Sequence, residues 1–304
     1  MIPPRQVVIL SDGKPGHVNQ AIAFAELAGE GYVVAEVKFH NRVCKSLSYL
    51  FDRIGLYTTA LFRMSGDVQG CTTIVSAGSE TYYANRTLAK KLGMRSVAVM
   101  LPRGYRYSGF DLIIAQEHDR PPVRTNIQIL PINLCKVRPQ AVFKPEAESS
   151  YLGLVIGGPN KVFPMEPKKL CKQIEQIIKL FPEHKVVVST SRRTPPEVEA
   201  MLLKFEFFKT WLYSGDPANP IPDFLASCDY VFITADSTSM ISEAVSFGTA
   251  AIEILPLIAT GSAVKFSALI KGLERRDCLH RFDGSVGECR TKIDLLVELK
   301  KGLQ

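Results

Sequence analysis

The sequence predicts an α/β protein made of two parallel-sheet domains, and three observations carry that expectation. The chain has 304 residues, 46% hydrophobic and 22% charged, enough to bury a full core and more than one sheet system usually supports. Short β-rich apolar runs alternate with helix-period segments from end to end, the pattern of repeated βαβ units. Near the middle, residues 136–150 are polar and include Pro139 and Pro145, a composition suited to a linker. Domains over 1–140 and 151–304 follow.

In order, the first strand is QVVIL at 6–10, followed by an alanine-rich helix at 18–28. YVVAEVKF at 32–39 is the second strand. From 43 onward Val43, Leu47, Leu50, Ile54, Tyr57 and Leu61 recur at three- and four-residue steps, which predicts one long amphipathic helix over 43–62. Strands at 72–77, 96–101 and 111–115 follow, with a helix at 81–92. The second series has strands at 151–156, 185–190, 210–213, 230–234 and 250–254. Helices near 166–180, 195–205, 221–227 and 238–247 separate them.

Composition removes several functions. The longest apolar stretch, 250–259, is cut by Glu253 and Pro256 and falls far short of the ~20 residues a spanning helix needs. MIPPRQVVIL lacks the basic, apolar and small-residue sequence of an export signal, so a cytoplasmic setting is expected. Seven scattered cysteines, an odd number, show no C-x-x-C pair, so neither a metal site nor a disulfide framework is indicated. Net charge is +7, and residues 1–150 carry 18 Lys and Arg against 12 Asp and Glu. A basic first half favours anionic partners: phosphorylated small molecules, a lipid surface or nucleic acid.

In open α/β sheets ligands bind beyond the carboxyl ends of the strands, so the loops there hold the candidates. The first runs Ser11, Asp12, Gly13, Lys14, Pro15, Gly16, His17, Val18, Asn19. It is neither a Walker loop nor a three-glycine dinucleotide fingerprint. It reads equally as a turn in which Asp12 satisfies local N–H groups and as a substrate loop with His17, or failing that Asp12, as general base. Gly78, Ser79 and Glu80 follow the third strand, with Ser79 as a helix cap. His118 and Asp119 read as a surface turn, with a place in a cleft as the alternative.

The second half begins with Gly157, Gly158, Pro159, Asn160 and Lys161. A double glycine at a strand end suits close approach of a pyrophosphate, and Lys161 adds charge. The next strand leads to Ser191, Arg192 and Arg193, where guanidinium groups can fork onto phosphate. Asp236, Ser237, Thr238, Ser239, Met240 and Glu243 form the most informative stretch. A capped helix explains its serines; a nucleotide site also explains Glu243, accepting from ribose hydroxyls.

SDGKPGHVNQ, IVSAGSET, FDLIIAQEHDRPP, LVIGGPNKVF, TSRRTPP and ITADSTSMISEA together resemble the "elongated mitochondria" mitochondrial-fission family and its bacterial relatives. The second half also resembles GT-B glycosyltransferases such as the peptidoglycan N-acetylglucosaminyl transferase. That resemblance implies two Rossmann-like domains facing across a cleft. It places Gly157, Gly158, Ser191, Arg192, Ser237, Ser239, Met240 and Glu243 at a donor nucleotide, and the reading of the same loops adds Asn160, Lys161 and Asp236. His17 and Asp12 are then catalytic, and Lys14, Gly16, Asn19, Gly78, Ser79, Glu80 and His118 lie on the acceptor side. GGPN lacks the further glycine of many such loops. Ala235 stands where an E-x7-E pattern ending at Glu243 needs glutamate, which disfavours retaining classes, and no D-x-D triplet marks a metal-held diphosphate.

These readings predict a metal-independent inverting glycosyltransferase with a nucleotide-sugar as co-substrate, no cofactor, and a saccharide or lipid-linked envelope acceptor. A sugar-nucleotide 2-epimerase and a non-catalytic adaptor are the alternatives, and no nucleic-acid partner is expected. Between 38 and 64 five basic residues accompany one acid, Asp52. The 43–62 helix is accordingly expected either to face the core with a solvated basic side or to lie partly on an anionic membrane face.

Overall fold

The computed structural model describes residues 5–301; the termini of the two expected domains, 1–4 and 302–304, lie outside the described residues. The chain divides into two compact units. One comprises residues up to 136 together with those from 294 onward, the other residues 137–293.

The first unit runs β1 (Arg5–Ser11), α1 (Pro15–Leu27), β2 (Gly31–Phe39), α2 (Arg42–Ile54), β3 (Phe62–Ser65), β4 (Thr73–Ala77), α3 (Tyr82–Leu92), β5 (Arg95–Val99), β6 (Leu112–Gln116) and β7 (Ile127–Leu130). Its seven strands lie in the order β3-β2-β1-β4-β5-β6-β7. Every pairing is parallel except β2 with β3. Strand order reverses between β1 and β4, so the loops after these two strands flank the crevice where such sheets bind ligands.

The second unit runs β8 (Tyr151–Ile156), α4 (Pro167–Leu180), β9 (Lys185–Thr190), α5 (Pro196–Leu202), β10 (Lys209–Trp211), α6 (Ile221–Ser227), β11 (Tyr230–Thr234), α7 (Thr238–Ala244), β12 (Ala251–Leu255), α8 (Val264–Glu274) and β13 (His280–Arg281). All of its pairings are parallel, in the order β10-β9-β8-β11-β12-β13. Here the reversal falls between β8 and β11. The buried stripe Leu170, Ile174 and Ile177 seats α4 on the sheet.

Three expectations change. First, the polar 136–150 segment belongs largely to the second unit rather than hanging free. The Asp223 carboxylate accepts four backbone N–H bonds, from Gln140, Ala141, Val142 and Phe143, at 2.7–3.1 Å. Burial would raise this carboxyl, but those donors hold it below the ordinary range. Phe143 is buried against Tyr151, Trp211 and Phe224. Second, the last helix, α9 (Leu295–Lys301), returns to the first unit. There Gln128 Nε2 donates to the carbonyls of Glu298 and Leu299, so 151–304 is not one continuous domain.

Third, the long helix expected over 43–62 stops at Ile54. Gly55 takes the left-handed conformation at φ 77° that closes it. The next residues make a single 3-10 turn, Thr59–Leu61, and then β3. Helix α2 packs Cys44, Leu47 and Phe51 against the core, yet part of its apolar surface faces outward. Its buried residues are Ser48 and Asp52, whereas Val43, Leu50 and Ile54 are 66%, 52% and 66% exposed. Asp52 accepts from Tyr57 Oη at 2.9 Å, the Arg106 N–H at 2.7 Å and Arg86 Nη1 at 3.3 Å. Ser48 Oγ donates to the Lys45 carbonyl at 2.6 Å and lies 2.9 Å from Tyr105 Oη. These bonds fix the rotation of the helix and leave its apolar stripe outward. Each stripe residue forgoes part of the roughly 1.5–3 kcal/mol that full burial confers. Among the described residues no helix is long and apolar enough to cross a membrane.

Candidate active site

In the first unit the loop after β1 is held by its own side chains. Ser11 Oγ accepts from the Gly13 N–H at 3.0 Å, and Asp12 Oδ1 from the Lys14 N–H at 3.1 Å. Pro15 then opens α1, where its fixed φ and missing N–H suit the first turn. His17 in that turn places Nδ1 2.9 Å from Asp12 Oδ2, with Lys14 Nζ 3.3 Å from the same oxygen. Burial alone would raise the Asp12 carboxyl. The hydrogen bond and charge of His17, with the N–H and ammonium of Lys14, hold it below the carboxylate range instead. Asp12 is therefore ionised at neutral pH, Nδ1 carries the imidazole proton, and Nε2 is left as the basic nitrogen. Gly78 lies under this ring. Its φ is +89°, and a Cβ there would overlap Nδ1 and Cε1 of His17.

A cleft of about 640 Å³ opens on the Asp12 side of the pair, and His17 is not among its lining residues. Asp12, Lys14 and Glu80 line it, as do Glu36, Lys38, Arg63 and Ser65. The last four were not marked as site residues by the sequence, which expected a helix up to 62 and no strand at 62–65. Its antiparallel pairing sets Lys38 opposite Arg63 and Glu36 opposite Ser65. Ser79 does not cap α3: it accepts from Lys45 Nζ at 3.0 Å, and Lys45 also pairs with Glu80. Thr81 is the N-cap residue, and its hydroxyl donates to the carbonyls of Ala77 and Gly78. Gly16 and Asn19 are exposed. His118 is buried in a short 3-10 turn, which corrects the surface turn expected there and removes it from the lining.

In the second unit one ion pair ties three strand-end loops together. Arg193 Nη2 donates to Asp236 Oδ2 at 2.7 Å, and Arg193 Nη1 donates to the Gly158 carbonyl at 3.0 Å. The Asp236 side chain is fully buried and also accepts from the Gly158 N–H and Thr234 Oγ1. A Cβ on Gly157 would overlap the Asp236 carboxylate, and one on Gly158 the Arg193 backbone. The glycines therefore make room for the protein's own loops. Asn160 is likewise engaged, donating to the Asp236 carbonyl and accepting from the N–H groups of Val162 and Phe163. Thr194 Oγ1 bonds the Gly157 carbonyl and receives the Ser191 N–H. Sequence reasoning offered both arginines and carried Arg192, which is exposed, to the donor site rather than Arg193, because two adjacent arginines gave no signal to rank them; Thr194 it did not mark.

The residues left for a ligand cluster on α7. Ser237 Oγ caps it, accepting from the Met240 N–H at 3.3 Å, while Ser239, Met240 and Glu243 are half-buried. Desolvation alone pushes the Glu243 carboxyl up to about 7. Among the described residues no cation or N–H donor offsets it. Lys161 and Arg192 are exposed on the neighbouring loops.

The family model described as mitochondrial fission ELM1 matches residues 15–300. A curated relative, the uncharacterized protein RP120 of Rickettsia prowazekii, is 25% identical over 286 residues, covering 79% of this chain and 80% of its own. The glycosyltransferase SnogD of Streptomyces nogalater superimposes with a TM-score of 0.52 at 12% identity, covering 99% of this chain and 93% of that one. A putative UDP-N-acetylglucosamine 2-epimerase from Listeria monocytogenes gives 0.51 at 10% identity, with 95% and 92% covered. These likenesses establish a fold of two parallel-sheet units of GT-B type.

Proposed function

We infer that this chain, which belongs to the mitochondrial fission ELM1 family, is a metal-independent inverting glycosyltransferase with a nucleotide-sugar donor. The observation that carries this reading is the His17–Asp12 pair at 2.9 Å, set at the reversal point of the first sheet beside a cleft. An adaptor has no need of an imidazole oriented by an ionised carboxylate. A transferase does: Nε2 takes the proton of the acceptor hydroxyl as the oxygen attacks the anomeric carbon, the nucleoside diphosphate departs, and Asp12 stabilises the imidazolium.

The second unit binds the donor. Glu243 accepts from the ribose hydroxyls, Ser239 and the loop N–H groups face phosphate, and Lys161 and Arg192 offset charge on the leaving diphosphate. The buried Asp236–Arg193 pair positions these loops and does not itself meet the ligand. The acceptor, a saccharide, is held by the first unit. Titration calorimetry with UDP-, GDP-, CMP- and ADP-linked sugars tests this reading, and heat of binding with one of them is expected. Product analysis then separates transfer from epimerisation of the same donor. Absence of binding to all four would leave the adaptor reading in its place.

A further inference from the structure

The outward face of α2 is unpartnered, and its chemistry fits one occupant. Val43, Leu50 and Ile54 follow at steps of seven and four, a single stripe along a helix of 3.6 residues per turn, while Leu47 beside them packs on the core. Val43, Leu50 and Ile54 are each more than half exposed, and Leu56 beyond the helix is 46% exposed. Arg42 and Arg53, both exposed, fall on the same flank of the stripe, roughly 80–100° from it by the helical period. At the carboxyl end Arg106 Nη2 reaches Tyr57 Oη at 3.2 Å, and Lys90 Nζ lies 5.3 Å from the Tyr57 ring centre. The only acid between 42 and 56 is Asp52, which is wholly buried. The solvent side of this segment is thus apolar and positive, with no exposed negative charge.

We propose that α2 docks the protein on an anionic lipid surface, the stripe entering the headgroup boundary while Arg42 and Arg53 meet lipid phosphates. Such helices bind by buried apolar area and electrostatic attraction together. A second copy of the chain fits less well. In a twofold antiparallel pairing like flanks meet, so Arg42 of one copy would face Arg53 of the other. The docking helix also borders the candidate acceptor site. Lys45 of α2 bonds Ser79 and Glu80, and Glu80 lines the cleft. This deepens the transferase reading by naming the acceptor class, a saccharide carried on a membrane lipid, although docking itself does not depend on donor binding.

The test is sedimentation of the full chain with vesicles of phosphatidylcholine containing about one-third phosphatidylglycerol, against phosphatidylcholine alone. The wild type is expected to pellet with the anionic vesicles at low salt and to stay in the supernatant with the neutral ones. Each arginine near such a surface is worth about fivefold in partitioning, so Arg42→Gln with Arg53→Gln should lower it about 30-fold. Val43→Ser with Leu50→Ser and Ile54→Ser should abolish pelleting. Leu203→Ser, at a 67% exposed position of the second unit, should leave it unchanged. All these positions are exposed, so melting curves should coincide. A wild type that remains in the supernatant, or pelleting that neither α2 variant reduces, would overturn the proposal. So would a dimer that the triple serine variant dissociates without any lipid binding. If pelleting is confirmed and no nucleotide-sugar binds, the membrane surface stands and the transferase reading alone is lost.

Discussion

Glu243→Gln should make the protein more stable and less able to bind its donor, and both effects depend on pH in a stated direction. Burial alone moves this carboxyl from an ordinary value of 4.5 to about 7. A raised folded value means that the folded state holds its proton where the unfolded state has lost it. Below about pH 4.5 both states are protonated and Glu243 costs nothing. As pH rises toward 7 stability falls, and above 7 the whole cost is present. At 1.36 kcal/mol per pH unit the shift corresponds to about 3 kcal/mol, an order-of-magnitude figure. A neutral isostere removes that cost, so at pH 8 the variant should melt roughly 6–12 °C higher, at about 2–4 °C per kcal/mol. At pH 4.5 the two melting temperatures should agree. Calorimetric melts of both proteins between pH 4.5 and 8 measure this, and donor titrations at pH 8 complete the comparison. Equal melting temperatures at pH 8 would show that Glu243 is solvated or paired, and the case for it as a ligand-facing carboxylate would fail.

His17→Ala should lower turnover by roughly 10²–10⁴-fold with little change in donor affinity, the usual worth of a positioned base. Asp12→Asn should lower it comparably by releasing the ring from its tautomer, and unchanged steady-state rates in either variant would return the pair to a structural role. Gly78→Ala, at φ +89° beneath the His17 ring, should reduce turnover together with thermal stability; full activity would mean that the ring is not fixed there. Arg193→Ala should destabilise by about 2–3 kcal/mol in denaturant melts, less than the 3–5 of a fully enclosed pair because the arginine is partly exposed. Arg192→Ala should stay within about 0.5 kcal/mol while weakening donor binding, and the reverse ranking would exchange their roles.

Periodicity and composition determined the fold class, the order of most elements and the division into two sheets, because the alternation of apolar runs is a local property. Glycines, hydroxyl-rich turns and the isolated Glu243 marked the strand-end loops. Which side chains in those loops are taken up by the protein's own packing was decided by partners far away in the chain. Asp236 is occupied by Arg193, 43 positions before it, and the double glycine serves the packing of that pair. Lys38 and Arg63 became neighbours through one antiparallel pairing with a four-residue strand too short for its pattern to be read. The stripe on α2 was fully legible, but its direction was not. A 3.6-residue repeat states that a helix has two faces, whereas the tertiary bonds of Asp52 and Ser48 decide which one is turned inward. Cys44, Leu47 and Phe51 pack inward beside those two polar residues while Val43, Leu50 and Ile54 stay outside, and only the folded arrangement of Tyr57, Arg86, Tyr105 and Arg106 supplies the long-range partners of Asp52 and Ser48.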